Sequence, residues 1–167
     1  MPVITIRDAE IDDLDSLGAL ELRAFPGDRL SPTSMRRFLS SPRARMRVAM
    51  RGNRARRGAL VGYYLILVRS GSRVARLYSI AVDGAARGGG VGSRLLDDAE
   101  ASARRLRRSA LRLEVRADNA AAIGLYEARG YRPIGRRLAY YEDRADALLY
   151  EKQIGVRAPL RQPDREG

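Results

Sequence analysis

Residues 80–96 read IAVDGAARGGGVGSRLL, and this stretch is the most informative part of the chain for the fold. It predicts a strand that ends near Val82, a glycine-rich turn, and an amphipathic helix that begins at Val91. The first N–H groups of such a helix have no acceptor within the helix, and the helix dipole adds positive potential there. Because glycines let a ligand approach the backbone closely, this stretch predicts a site for a phosphate or pyrophosphate group.

Two common phosphate motifs do not fit this glycine turn. The mononucleotide P-loop needs a Gly-Lys-Ser or Gly-Lys-Thr sequence, whereas the only lysine of the chain is Lys152. The dinucleotide fingerprint G-x-G-x-x-G fails because Ser93 stands in place of its last glycine. The pattern that fits is Arg87-x-x-Gly90-x-Gly92. A glycine turn alone could be purely structural, but the strand before it and the helix after it favour a binding site.

The composition restricts both the fold and the chemistry. With 167 residues, 45% of them hydrophobic, the chain suits a single domain with its own core. We expect this domain to span residues 1–155 and residues 156–167 to form a flexible tail. The chain has no Cys and no His, which excludes disulfides, thiolate nucleophiles, histidine bases and histidine-bound metals. Catalysis would have to use carboxylate, hydroxyl, phenol, amine or backbone groups.

The charge of the chain is strongly positive. A formal net charge of +12 favours polyanionic partners such as nucleic acid, the ribosome, an acidic protein or a phosphorylated cofactor. The region 43–57 is dense in arginine and is a candidate surface for an acidic partner. The same charge is equally compatible with a solvated basic surface that has no dedicated partner. Few aromatic residues accompany these arginines, so a platform for stacking single-stranded nucleic acid is poorly supported.

The chain start and the apolar runs bear on the compartment. The first twenty residues contain five acidic side chains, unlike a signal peptide, which needs a basic start and an apolar run. The longest apolar run, residues 59–68, is shorter than the roughly 20 residues that span a bilayer. We therefore expect a cytoplasmic protein with no membrane partner.

The hydrophobic spacing predicts strands and helices in the order β-α-α-β-β-β-α-β-α-β-β. Ser31 and Pro32 suit the cap and first residue of the second helix, with Met35, Phe38 and Leu39 on its buried face. Strand and helix alternate only in the middle of the chain, so the class is α+β, with a mixed, mostly antiparallel central sheet flanked by helices. The predicted strands are 3–7, part of 43–57, 59–69, 74–82, 110–116, 134–142 and 145–154, and the predicted helices are 11–21, 32–39, 91–106 and 120–129, with turns at 52–53, 70–72 and 142–144.

Three segments carry a resemblance to a known family. Residues 87–92, with their Arg-x-x-Gly-x-Gly pattern between a strand and a helix, look like the pyrophosphate-binding motif of the GNAT acyl-CoA N-acyltransferases. Residues 113–131, LEVRADNAAAIGLYEARGY, resemble the later motif of that family, and residues 140–148, YYEDRADAL, continue it. Within the family, residues 77–152 are most similar to the RimI-type N-terminal protein acetyltransferases, which act on a ribosomal protein. The resemblance implies the GNAT fold and an acetyl-CoA-dependent N-acetyltransferase.

The resemblance also implies roles for individual residues. Acetyl-CoA would be the cosubstrate, with no metal. A protein or peptide amine would be the acceptor, and the resemblance extends this to an acceptor associated with the ribosome. A homodimer is a further expectation, since dimers are common in the family. Glu114 matches the general base of the RimI-type enzymes, and Tyr126 matches the general acid. The residues implied to bind the cosubstrate are Ile80, Ala81 and Val82 along the acetyl and pantetheine part, Gly88, Gly89, Gly90, Val91, Gly92 and Ser93 with Arg87 and Arg94 at the pyrophosphate, and Asn119 and Tyr126.

Each of these side chains also has a simpler structural explanation. Glu114 alternates with apolar neighbours along its strand, so it could be a surface carboxylate paired with Arg112 or Arg116. The Tyr126 ring could pack against the sheet. Asn119 could cap a helix and do nothing else.

Three functions remain open at this point. The favoured one is acetyl transfer to the N-terminal α-amino group of a protein or peptide. The second is transfer to a small-molecule amine, although a chain of charge +12 would repel cationic amines. The third is a basic nucleic-acid-binding module, which predicts salt-sensitive binding to DNA or RNA and leaves the glycine turn and Glu114 without a role.

Overall fold

The computed structural model describes residues 3–52 and 58–155. The tail predicted at 156–167 lies outside these residues, as do Asn53 of the predicted turn and the end of the arginine-rich region 43–57. The strands and helices follow one another in the predicted order, so this prediction is confirmed. The strands are β1 (Ile4–Asp8), β2 (Ala44–Arg51), β3 (Ala59–Leu67), β4 (Val74–Val82), β5 (Ala110–Arg116), β6 (Arg132–Arg137) and β7 (Ala147–Gln153), and the helices are α1 (Leu14–Ala24), α2 (Pro32–Ser40), α3 (Val91–Arg105) and α4 (Ala120–Ala128).

The described strands form one sheet in the order β1-β2-β3-β4-β5-β7-β6. Only β4 and β5 pair in parallel, and the other neighbours are antiparallel, so the predicted mixed, mostly antiparallel sheet is confirmed. Buried side chains of α3 and α4 pack on one face of the sheet, and those of α1 and α2 pack on the other. The two faces therefore have separate cores. No helix in the described part of the chain is both long and apolar enough to cross a membrane.

The second helix begins as its sequence predicts. The Ser31 hydroxyl accepts a hydrogen bond from the N–H of Ser34 at 3.1 Å, and Pro32 occupies the first turn. Met35 is fully buried against α1 and the sheet, whereas Phe38 and Leu39 are only half-buried. The predicted buried face is therefore fully buried at Met35 and only partly buried at Phe38 and Leu39.

The hairpin between β6 and β7 differs from the prediction. The sequence predicted a strand over 134–142 and a short turn at 142–144, but β6 ends at Arg137 and a longer loop follows. Ala139 adopts a left-handed conformation with φ 49°, which ends the strand. The Asp146 carboxylate accepts the N–H of Ala139 at 2.8 Å and holds the loop in this shape.

The two parallel strands separate halfway along their length. β4 pairs with β5 only over Val74–Leu77 and Ala110–Leu113. Tyr78 is an extra residue in β4, because the β3 neighbours Leu65 and Ile66 pair with Ser79 and Leu77. Such a bulge bends a strand and switches which face its following side chains occupy. The gap between residues 79–82 of β4 and residues 114–116 of β5 is called the β4–β5 cleft below.

Candidate active site

The β4–β5 cleft exposes the edge of β4. Residues 79–82 pair with β3 on one side, and no described strand pairs with them on the side that faces β5. Ile80, Ala81 and Val82, which the resemblance implied as backbone contacts for the cosubstrate, lie along this edge. A strand edge with open N–H and C=O groups can bind an extended ligand as an added strand would.

The glycine turn follows directly at the end of this edge. Gly88 (φ 84°) and Gly90 (φ 76°) have left-handed backbones, which non-glycine residues rarely adopt. Gly90 precedes α3, which begins without a side-chain cap. The first hydrogen bond of the helix runs from the N–H of Arg94 to the Gly90 carbonyl at 3.0 Å. The N–H groups of the first helical turn therefore have no acceptor within the helix, which is the geometry of an anion site.

The two arginines beside the turn lie in different environments. Arg87 is exposed next to the turn. Arg94, by contrast, donates from Nη1 to the Ile4 carbonyl on β1 at 2.7 Å. In this conformation β1 holds the guanidinium of Arg94, so the charge available at the turn comes from Arg87.

Glu114 lies at the point where β4 and β5 separate. Its side chain is 14% exposed and lies on the sheet face opposite the buried Leu113. Its carboxylate is 3.2 Å from Nη2 of Arg76 and 3.7 Å from Nε of Arg137. The alternative pairing with Arg112 or Arg116 is wrong, because those two arginines pair with carboxylates other than Glu114.

Two tyrosines of the β6–β7 loop surround Glu114. The hydroxyl of Tyr140 is 3.3 Å from Nη2 of Arg76, and its hydrogen bond to Glu114 raises the pKa of Tyr140. Burial, with the nearby charge of Glu114, raises the pKa of Tyr141 to about 12. Glu114 therefore lies among two guanidinium groups and two neutral phenols, in a partly desolvated pocket beside the cleft.

Tyr126 lies on α4 with its ring in the core. It is 6% exposed and packs edge-on against Tyr131, with ring centroids 5.7 Å apart. The Tyr126 ring therefore has the packing role that the sequence analysis left as an alternative. Burial, with a smaller effect of Tyr141, raises the pKa of Tyr126 to about 12, so the phenol keeps its proton at neutral pH. Among the described residues, its hydroxyl has no hydrogen-bond partner, which leaves the proton available to a ligand.

Asn119 is the cap of α4. Its Oδ1 accepts the N–H of Ala122 at 3.2 Å, so the capping role is present. The cap uses the oxygen of the amide and leaves its NH₂ group for other contacts. Gly92, in the first turn of α3, lies next to the side chains of Val82 at the end of β4 and Leu125 of α4. The beginning of α3, the end of β4 and α4 therefore meet at the glycine turn.

Comparison with known proteins decides the family. A model of the acetyltransferase (GNAT) family matches residues 14–131. The chain belongs to the GNAT acetyltransferase family. It is therefore an acetyl-CoA-dependent N-acetyltransferase, and the resemblance and the enzyme class predicted from the sequence are confirmed.

Relatives within the GNAT family place the chain near the RimI-type enzymes. It is 35% identical over 147 residues to the N-alpha-acetyltransferase RimI of Mycobacterium tuberculosis, covering 86% of this chain and 88% of that protein. The structure is similar to the ribosomal-protein-S18-alanine N-acetyltransferase of Escherichia coli, with a TM-score of 0.81 and 28% identity over 96% of this chain and 99% of that one. It is also similar to Ard1 of Thermoplasma volcanium, with a TM-score of 0.77 and 26% identity over 90% and 97% of the two chains.

This GNAT enzyme has a buried carboxyl group that the sequence did not single out. Glu21 of α1 is 2% exposed, and burial raises its pKa. It accepts hydrogen bonds from the N–H of Leu30, at 2.9 Å, and from the Tyr63 hydroxyl. The Ser79 hydroxyl lies 2.8 Å from that of Tyr63. The network ties the α1–α2 connection to the first residue of β4 beyond the bulge. Its signal in the sequence was an acidic residue at an apolar position of a helix.

The other missed residues are Arg76 and Arg137. Neither stands out in a chain so rich in arginine, and only the pairing of β4, β5, β7 and β6 brings them to Glu114. Within residues 3–52 and 58–155, no three His, Cys, Asp or Glu side chains are grouped so as to hold a metal ion.

Proposed function

We propose that this enzyme transfers the acetyl group of acetyl-CoA to the N-terminal α-amino group of a protein or peptide. The observation that carries the proposal is the β4–β5 cleft, with the uncapped glycine turn at one end and Glu114 beside it. The names of two relatives support the acceptor class, since one is an N-alpha-acetyltransferase and the other acetylates the alanine of ribosomal protein S18.

The residues of the cleft suit the parts of acetyl-CoA. The N–H groups from Gly88 to Ser93 suit its pyrophosphate, because they converge near the start of a helix whose dipole attracts anions. Arg87 adds a positive charge there. The open edge of Ile80, Ala81 and Val82 suits the amides of pantetheine, and the NH₂ group of Asn119 can donate from the opposite wall.

Glu114 is the proposed proton acceptor for the amine. An α-amino group has a pKa of about 8, so most of it is protonated and not nucleophilic at neutral pH. A carboxylate within hydrogen-bond reach removes that proton as the amine attacks the thioester. Arg76 and Arg137 hold the carboxylate in place at the mouth of the cleft. An N–H of the open β4 edge near Val82 would donate to the thioester oxygen.

Tyr126 is the proposed proton donor on the thiol side. Its pKa of about 12 keeps the phenol protonated at the pH of the reaction. A free thiol has a pKa of about 8.5, so the departing sulfur is a weaker base than the phenolate. Tyr126 therefore stabilises the sulfur chiefly by donating a hydrogen bond, with the proton passing over only late in the reaction.

The test is cosubstrate binding by calorimetry, followed by thiol release with a library of N-terminally free peptides and a panel of small amines. We expect micromolar binding and turnover of peptides, with loss of turnover when the same peptides carry a blocked N-terminus. If the enzyme acetylates small amines and no peptide, the acceptor is a small molecule and the proposed peptide acceptor is wrong. Absence of acetyl-CoA binding would refute the assignment of the glycine turn.

A further inference from the structure

On the sheet face that carries Glu114, no helix within residues 3–52 and 58–155 covers one half of the sheet. On that face α1 and α2 pack mainly on β2, β3 and β4, so the part formed by β5, β7 and β6 is open. We call this part the open sheet face. The aromatic side chains at its border with β4, Tyr78 and Tyr140, are both exposed. Exposed aromatics beside arginines are typical of surfaces that bind another chain.

The open sheet face carries more positive than negative charge around Glu114. Arg76 and Arg137 both contact this one carboxylate, and their side chains are 41% and 55% exposed. Each guanidinium has five N–H donors, so Glu114 leaves most of them unpaired. The pair therefore has capacity for a second carboxylate.

The guanidinium groups are also held in position by aromatic rings. Arg76 lies over the ring of Tyr78 at 5.2 Å, and Arg137 lies over the ring of Tyr140 at 5.9 Å. Stacking of this kind fixes the plane of a guanidinium without using its N–H groups. Two oriented guanidiniums beside a reacting carboxylate form a built site for a planar anion such as a carboxylate.

Two acidic residues of the neighbouring loops, Glu142 and Asp28, do not neutralise the two arginines. Glu142 lies beside Gly27 of the α1–α2 connection, and the charge of Asp28 acts on Tyr141. Neither carboxylate pairs with Arg76 or Arg137. The remaining N–H donors of these two arginines therefore stay available, and they suit a carboxylate.

The geometry points to Arg76 and Arg137 as specificity residues that select an acceptor peptide with a carboxylate side chain at its first or second position. This inference rests on the proposed function, since it assumes that the acceptor amine meets Glu114. An extended chain advances about 3.3 Å per residue, so only the first two residues lie close enough to both the amine site and the arginines.

The test compares hexapeptides that differ in one residue. Asp, Asn or Lys is placed at the first, second or fifth position of an otherwise neutral peptide, and thiol release is measured at low and high salt. We expect kcat/KM to be about tenfold higher for Asp than for Asn at the first or second position, with no such difference at the fifth. The fifth position reports the general attraction of a basic protein for acidic peptides, and salt should reduce the preference.

Arginine variants locate the preference. R137Q should bring the ratio of Asp to Asn kcat/KM at the preferred position close to one. R105Q is the matched control, because Arg105 is exposed on the last turn of α3, and α3 packs on the opposite face of the sheet. It removes the same charge and should leave the ratio unchanged. Using a ratio within each variant cancels any effect on folding.

The outcomes separate this inference from the proposed function. Turnover of all peptides without an Asp preference, or an equal loss of preference in R105Q, would overturn the inference and leave the peptide acetyltransferase standing. Acetylation of no peptide would overturn both. Acetylation of free aspartate with the same dependence on Arg137 would show that the carboxylate belongs to an amino acid, which overturns the peptide acceptor.

Discussion

Replacing Glu114 by Gln separates a catalytic carboxylate from a structural one. The change keeps the shape of the side chain and removes its charge, so the ion pairs with Arg76 and Arg137 are lost. Both arginines are more than one-third exposed, and exposed pairs contribute at most about 1 kcal/mol each. Because two such pairs are lost, we expect the free energy of unfolding to fall by about 2 kcal/mol or less.

The expected effect on turnover is much larger. A positioned general base contributes about 10²- to 10⁴-fold, which corresponds to about 3–5 kcal/mol of the activation barrier. Binding of acetyl-CoA should be nearly unchanged, because Glu114 lies on β5 and not at the glycine turn that we propose for the pyrophosphate. The deficit should also shrink above about pH 8, where the α-amino group loses its proton without help.

The measurements are peptide turnover across pH, acetyl-CoA binding by calorimetry, and unfolding by denaturant. Glu151→Gln is the matched control, because Glu151 is 17% exposed on β7 and pairs with Arg112 at 2.7 Å. That variant should lose similar stability and keep its turnover within about twofold. If the two variants slow turnover equally, or if E114Q stays within tenfold of the parent, Glu114 is a structural ion-pair residue.

Three further predictions concern other parts of the site. Tyr126→Phe keeps the ring packing and removes only a hydroxyl that has no partner among the described residues, so we expect little change in stability. We expect kcat to fall about 10- to 100-fold, because the proposed proton donor is lost. A loss of stability with normal turnover would make Tyr126 a packing residue. Arg87→Gln should weaken acetyl-CoA binding about three- to tenfold. Arg94→Gln should leave the binding unchanged, because the guanidinium of Arg94 is held by the Ile4 carbonyl of β1. Calorimetry on both variants tests this, and a larger loss of binding in Arg94→Gln than in Arg87→Gln would contradict the observed conformation of Arg94. Burial raises the pKa of Glu21 above its ordinary 4.5. Between these two pKa values the folded state keeps the proton on Glu21, whereas the unfolded state has released it. The free energy of unfolding should therefore fall as the pH rises from about 4.5 to the folded-state pKa. Denaturant unfolding of Glu21→Gln should lack this part of the pH dependence, and parallel profiles for variant and parent would refute it.

Much of the fold could be predicted from the sequence because its signals are local. The alternation of apolar and polar side chains along β5 and the helical spacing of apolar side chains along α3 can be read from residues close together in the chain. The left-handed backbone of Gly88 and Gly90 likewise requires glycine at these positions, independently of the rest of the fold. The error at β6 had a non-local cause. The Asp146 carboxylate, on the far side of the loop, accepts the N–H of Ala139 and closes the loop where the pattern alone predicted a strand.

The sequence by itself therefore determined the order of the elements, the α+β class and the glycine turn, and its motifs pointed to Glu114 and Tyr126. Only the tertiary structure decided what surrounds Glu114. The bulge at Tyr78 ends the pairing of β4 with β5 and opens the cleft, and strand register brings Arg76 and Arg137 to one carboxylate. Such contacts join residues far apart in the chain, and among so many arginines no local pattern distinguishes the two that meet Glu114.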